Sequence, residues 1–285
     1  MSSLIWLKRT IRNSYLLVIL TLLALVFLLN CMMLETAMAQ DMVIFPDPNL
    51  EKVIRAEDII VGKKAIMRPY ITKADLESIT YLRGRGKHIS DLSGLEFCIN
   101  LEGLVLSYND ITSLIPLEGL VKLKRLNLSN NEINDLQNLE GLSNLEELSL
   151  GNNSIDNIDI LVNLPKLKSL DLSRNNISDI SVLSGLTDLE EVIIGHNNIT
   201  NITPLVDNPR VSSIDVIDLT GNPLDEKAYT QQLPELQKRV RLVFYDEQNE
   251  EITSHNHFPS YWWWVIGTGI AVAVIIVLAF IIHKR

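Results

Sequence analysis

LEGLVLSYNDI at 101–111, LKRLNLSNNEI at 123–133, LEELSLGNNSI at 145–155, LKSLDLSRNNI at 167–177 and LEEVIIGHNNI at 189–199 superimpose without a gap. Their asparagines are Asn109, Asn131, Asn153, Asn175 and Asn197, one every 22 residues. Neither a helical period nor strand alternation accounts for self-similarity at this spacing. It is the mark of stacked structural units, each burying its apolar face against the next.

The shared pattern is L-x-x-L-x-L-x-x-N-x-I, a leucine-rich repeat signature. Two degenerate copies flank the five regular ones. Upstream, Ile79, Leu82, Gly84, Lys87 and Ile89 fill the slots, with Lys87 replacing the asparagine. Downstream, Ile214, Ile217, Leu219, Asn222 and Leu224 fill them after a three-residue insertion. Seven repeats over 79–224 are therefore expected. The fold class is an α/β leucine-rich repeat solenoid: short parallel strands on the concave side and irregular or 3₁₀ turns on the convex side. The L-x-L pair, such as Leu104 and Leu106, points into the core. The asparagines, with Asn222 as the last, turn the chain inward, where their amides satisfy backbone groups that the bend leaves unpaired. Cys98 stands in the slot of Leu120, Leu142, Leu164 and Leu186, so it reads as a buried apolar thiol.

Stacked strands need covered ends. At the N-terminal end Asp47-Pro48 opens a helix through Ile54, and Thr72–Asp75 opens another, so residues 40–78 form a helical cap. At the other end residues 225–246 form a cap, helical over Glu226–Arg239 with an interruption at Pro234 and closed by a strand at Val240–Tyr245. Residues 247–260 are a polar stalk.

The two ends of the chain read as membrane signals. Lys8, Arg9 and Arg12, the apolar run Ser14–Leu29 and Ala37-Met38-Ala39 are the parts of a secretory signal over 1–39, cleaved after Ala39. Retention of that run as a second span is the alternative. Trp262–Ile282 is uncharged for 21 residues, long enough to span a bilayer, and follows the aromatic belt Tyr261–Trp264. The run 261–282 is therefore expected to be a single C-terminal transmembrane helix. Lys284 and Arg285 put the tail 283–285 in the cytoplasm and the repeats outside it. A net charge of −10 excludes the basic footprint that nucleic-acid binding needs. Two cysteines, one of them inside the signal, exclude a disulfide scaffold or a four-cysteine zinc site.

The 22-residue repeats resemble those of internalin-type bacterial leucine-rich repeat surface proteins. FPDPNLEKVIR at Phe45–Arg55 resembles the helical opening of such proteins, and Ile202–Leu224 resembles their last repeat. The resemblance covers about residues 44–246. It implies a bacterial surface protein that acts by binding, and it carries over no catalytic residue. No Leu-Pro-x-Thr-Gly sorting motif is present; the nearest stretch is Phe258-Pro259-Ser260, so a membrane anchor takes the place of covalent wall attachment.

In a curved array the variable positions line the concave side, where ligands dock. Between the two leucines of L-x-L stand Arg83, Val105, Asn127, Ser149, Asp171 and Ile193; just before the asparagine stand Tyr108, Asn130, Arg174 and His196. These ten are the candidate ligand-binding residues. Glu102, Lys124, Glu146, Lys168 and Glu190 alternate in sign along another row, with Arg125 beside Glu147, and predict a ladder of ion pairs. No phosphate loop, nucleophile elbow, metal-ligand set or cofactor motif is found. His255 and His257 lie in the stalk, and Asp156 and Asp159 in a repeat turn. The expectation is a non-enzymatic, membrane-anchored, extracytoplasmic module that binds a protein partner and uses no cofactor. The alternative is a structural subunit of an envelope complex, assembled through the transmembrane helix and the repeat flank.

Overall fold

The computed structural model describes residues 41–56 and 70–247, with Leu23 and Leu25–Leu28 from the first apolar run. Residues up to Asp246 form one compact unit and Glu247–Arg285 a second. The expected cleavage site at Ala39, the stalk from 248 onward and the run Trp262–Ile282 lie outside the described residues. Among the described residues no helix is long and apolar enough to cross a membrane.

At the N-terminal end β1 (Met42–Val43) and β2 (Ile71–Thr72) pair antiparallel. Helices at Pro48–Arg55 and Lys73–Glu77 follow them. Asp47 caps the first: its Oδ1 accepts from Asn49 N (2.8 Å) and Leu50 N (3.2 Å). Its Oδ2 accepts from Ser90 N (2.7 Å) and Asp91 N (3.2 Å), so one carboxylate ties the cap to the first repeat. Burial pushes this carboxyl up, and the four N–H donors outweigh it, leaving its pKa below the ordinary value. Thr72 and Asp75 form the capping box of the second helix. Val53 of the first helix packs into the notch at Gly84, where a Cβ would lie 3.1 Å from its methyl carbons. The irregular first repeat thus takes its missing apolar group from the cap.

Eight strands then stack in parallel in chain order: β3 (Tyr81–Arg83), β4 (Gly103–Val105), β5 (Arg125–Asn127), β6 (Glu147–Ser149), β7 (Ser169–Asp171), β8 (Glu191–Ile193), β9 (Val216–Asp218) and β10 (Leu242–Phe244). The closing strand of the C-terminal cap is the eighth member of the same sheet, beyond the seven strands of the repeats. Leu82, Leu104, Leu126, Leu148, Leu170, Val192 and Ile217 form one buried row across it. A slip of one residue would turn this row into water, and that fixes the register.

The strands β4 to β9 are short because each runs into an asparagine turn. Asn131 Nδ2 donates to Leu128 O (2.8 Å) in its own repeat and to Leu106 O (3.1 Å) in the preceding one, while its Oδ1 accepts from Ile111 N (3.1 Å). Asn153, Asn175, Asn197 and Asn222 bridge neighbouring repeats in the same way. Asn109 bridges to the first repeat, whose Lys87 N and Ile89 N donate to its Oδ1. The convex side is built of 3₁₀ turns at Leu95–Phe97, Ile115–Leu117, Gln137–Leu139, Asp159–Asn163 and Ser181–Ser184. Side chains two residues ahead open several of them: Asp135, Asn157 and Asp179 accept from Gln137 N, Asp159 N and Ser181 N.

The three-residue insertion shifts the register to Val192↔Ile217. A short helix at Thr203–Asp207 and a 3₁₀ turn at Val211–Ser213 absorb it. Buried Asn208 pins them by donating to Leu183 O (2.8 Å) and Leu186 O (3.0 Å). The helical stretch of the C-terminal cap changes character at Pro234: a π turn at Ala228–Gln232 gives way to an α-helix at Leu233–Arg239, with Pro234 in its first turn.

Candidate functional site

In a three-residue strand whose middle side chain is buried, the first and third side chains project together from the opposite face. The third-position row places Arg83, Val105, Asn127, Ser149, Asp171 and Ile193 side by side, and it continues to Asp218. Arg83 is exposed and the others are half-buried. Asp218 was not among the expected binding residues, although the L-x-L slots Ile217 and Leu219 of the last repeat mark it as the variable residue between them. The first-position row runs Tyr81, Gly103, Arg125, Glu147, Ser169, Glu191 and Val216. Tyr81, Ser169 and Glu191 were not among the expected binding residues, although the two-residue side-chain period of a strand is a signal that finds them.

Tyr108, Asn130, Arg174 and His196 stand just past the strands with φ of 60°, 59°, 56° and 56°. Gly86, Asn152 and Gly221 occupy the same position in sister repeats, also with positive φ. This left-handed turn aims each backbone N–H at the next repeat: Tyr108 N donates to Ser129 O (2.9 Å), Asn130 N to Gly151 O (2.7 Å) and Arg174 N to Gly195 O (2.8 Å). Glycine and asparagine tolerate the conformation, whereas bulkier L-residues are held there at a cost of about 1 kcal/mol or more each.

The N-terminal end of the face is aromatic and basic. The Tyr81 ring lies on Gly103, where a Cβ would fall 2.4 Å from ring carbons. Arg83 stacks over that ring at 5.6 Å and its Nη2 donates to the phenol oxygen (3.2 Å). Arg125 reaches the same ring at 6.0 Å from two strands away, and Arg85 covers the Tyr108 ring at 4.3 Å. Arg125 therefore meets Tyr81 and forms no ion pair with Glu147.

The C-terminal end is acidic. Asp171 accepts from Ser173 N (3.0 Å) and Ser173 Oγ (2.7 Å); Asp218 accepts from Thr220 N (2.9 Å) and Thr220 Oγ1 (2.7 Å). Each carboxylate leans over a glycine of the preceding repeat. A Cβ on Gly151 would lie 3.0 Å from Asp171 Oδ1, and one on Gly195 would lie 3.3 Å from Asp218 Oδ1. Burial raises both pKa values against these hydrogen bonds; the Asp218 charge adds to the rise at Asp171, and the Asp246 charge to that at Asp218. Glu191, held by Ser169 Oγ at 2.8 Å, is raised first by burial, then by Asp171 and Glu147. The His196 ring covers Gly221 beside this cluster, and its charge acts to lower Asp218.

The alternating row forms separate pairs, not a continuous ladder. Lys124 Nζ meets Glu102 at 2.9 Å and Lys168 Nζ meets Glu146 at 2.8 Å, because each ammonium serves one neighbour. The two glutamate pKa values fall through these hydrogen bonds. Among the described residues no group of three His, Cys, Asp or Glu could hold a metal ion. Cys98 is buried, and desolvation followed by the Glu96 charge pushes its pKa up to about 12.

Comparison with known proteins agrees with this architecture. The family model for leucine-rich repeats (two copies) matches residues 99–141, 143–187 and 165–207. Internalin H of Listeria monocytogenes serovar 1/2a is 39% identical over 70 residues, which is 25% of this chain and 12% of that protein. The crystal structure of internalin inlF of L. monocytogenes 4b F2365 superposes with a TM-score of 0.63 at 34% identity, covering 71% of this chain and 56% of inlF. Internalin C2 of the same strain superposes with a TM-score of 0.55 at 29% identity, covering 71% of this chain and 95% of that one. The chain thus spans a small part of the curated relative and little more than half of the first structural one.

Proposed function

We propose that the repeat domain is of the internalin type, a reading its similarity to internalins supports, and that it binds another protein across the concave sheet face while the chain is held at an extracytoplasmic surface by Trp262–Ile282. The observation that carries the reading is the left-handed row. Where sister repeats place glycine or asparagine, this chain holds Tyr108, Arg174 and His196 at positive φ. Tyrosine and arginine are the types that most often anchor protein interfaces. They border Arg83, Asn127, Ser149 and Asp171, which complete the surface offered to a partner. Adhesion or recruitment at the cell surface is the role this supports, with delivery by the signal 1–39.

The test is capture of a partner from membrane and extracellular fractions of the source organism on immobilised full-length protein. Ser149→Trp places an indole in the middle of the concave face, and Val162→Trp places one on the exposed convex side. A protein retained by wild type and Val162→Trp and lost by Ser149→Trp is the expected result. Equal retention by all three would remove the concave face from the reading. Protease treatment of intact cells is expected to release the repeat domain; full protection would refute the surface orientation.

A further inference from the structure

We propose that the concave face selects a partner segment of mixed charge: acidic where it crosses Arg83 and Arg125, and basic where it crosses Asp171 and Asp218. The inference rests on the concave-face reading and adds the chemistry of the occupant.

The basic end is built before any partner arrives. Gly103 leaves room for the Tyr81 ring, and Arg83 and Arg125 both lie over that ring, at 5.6 and 6.0 Å from its centroid. Two flexible side chains are thereby already ordered, which lowers the entropy cost of binding. Arg83 spends one N–H on the phenol oxygen; the remaining guanidinium donors are suited to forked pairing with carboxylates. Among the described residues neither Arg83 nor Arg125 is ion-paired to a carboxylate.

The opposite end carries the other sign. Asp171 and Asp218 stand half-buried on β7 and β9 with Glu191 on the strand between them, and the Asp218 charge bears on Asp171. A cation placed there relieves that repulsion. From β3 to β9 the face runs six strand spacings, about 29 Å. A uniform polyanion, such as a sulfated glycan or a nucleic acid, is attracted at one end and repelled at the other. A uniformly basic ligand meets the reverse. Only a segment with both signs in the matching order is favoured along the whole length.

The test uses purified full-length protein and three labelled peptides read by fluorescence anisotropy at low ionic strength. One peptide carries a glutamate block and a lysine block separated by a glycine–serine spacer spanning about 30 Å. The others carry glutamate at both ends or lysine at both ends. The two-block peptide is expected to bind about tenfold more tightly than either, and Arg83→Ala/Arg125→Ala to remove about that factor. Thermal melts check that the double variant, altered only at exposed side chains, keeps its fold. Equal binding of the all-glutamate peptide, or unchanged binding by the double variant, overturns the proposal. Self-association that the two-block peptide disperses also overturns it, in favour of a second inverted copy as occupant. The two readings fail separately. Capture lost in Ser149→Trp but kept in Arg83→Ala/Arg125→Ala rejects the charge assignment alone; capture kept in both rejects the concave face.

Discussion

Replacing Asn175 by alanine removes one rung near the centre of the array. Its Nδ2 donates to Leu150 O at 3.1 Å and Leu172 O at 3.0 Å, and its Oδ1 accepts from Ile155 N at 3.0 Å. The residue is buried, so water does not replace these bonds freely. Three bonds at about 1 kcal/mol each, with backbone groups left unsatisfied, predict a loss of about 3 kcal/mol. That is a large share of the roughly 5–15 kcal/mol available to a domain. Each repeat touches mainly its neighbours, so the loss falls on the junction between two halves of the stack and weakens their cooperativity. Urea unfolding followed by circular dichroism is expected to show a lower midpoint and a shallower transition. Asn175→Asp keeps the acceptor but turns the donor toward two carbonyls as a second acceptor, and is expected to be at least as damaging. The neighbour Asn176 is exposed, and only its backbone oxygen accepts a bond, from Asn198, so Asn176→Ala should stay within about 0.5 kcal/mol of wild type. Equal effects of Asn175→Ala and Asn176→Ala would refute the account of the ladder.

Asp47→Asn is expected to cost about 1 kcal/mol at neutral pH through the weakened cap. The folded pKa of Asp47 is depressed, so its contribution is full above the unfolded pKa near 4 and fades as pH falls through the folded value. Melting curves of wild type and variant should therefore converge in acid; a constant gap would refute this. Asp171 has the opposite sign: its folded pKa is raised, so its penalty is present at neutral pH and is relieved as pH falls from the folded value toward the unfolded one. Asp171→Asn is expected to raise the melting temperature at pH 7, since Asn127 already makes the same turn contact with Ser129 N at 3.2 Å; a lower melting temperature would contradict it. Gly103→Ala pushes a methyl into the Tyr81 ring and should weaken two-block peptide binding more than stability, compared by anisotropy and melting. Cys98 should resist a thiol reagent at pH 8 until urea unfolds the chain; prompt labelling of folded protein would deny its burial.

Much of the scaffold was legible in the residues because a repeat states its own geometry. Leucines at a constant step of 22 have one arrangement that buries them all, and this dictates parallel strands, their register and the turn at each asparagine. Cap residues such as Asp47 and Thr72 are local signals and were equally readable. Contacts between side chains far apart in the chain were not. Tyr81 meets Arg125 only because Gly103 leaves a gap on the strand between them, and Asp171 leans over Gly151 for the same kind of reason. Alternating charges along a row predicted a ladder, but an ammonium close to one carboxylate is held away from the next, so pairs resulted. The helix and 3₁₀ turn that absorb the insertion, by contrast, were not read from the sequence, although they keep Asp218 in line with Ile193. Periodicity along the chain thus sets the backbone, because burial is a property every repeat shares. The division of the concave face into a basic and an acidic end arises where unlike repeats touch, and packing alone brings those residues together.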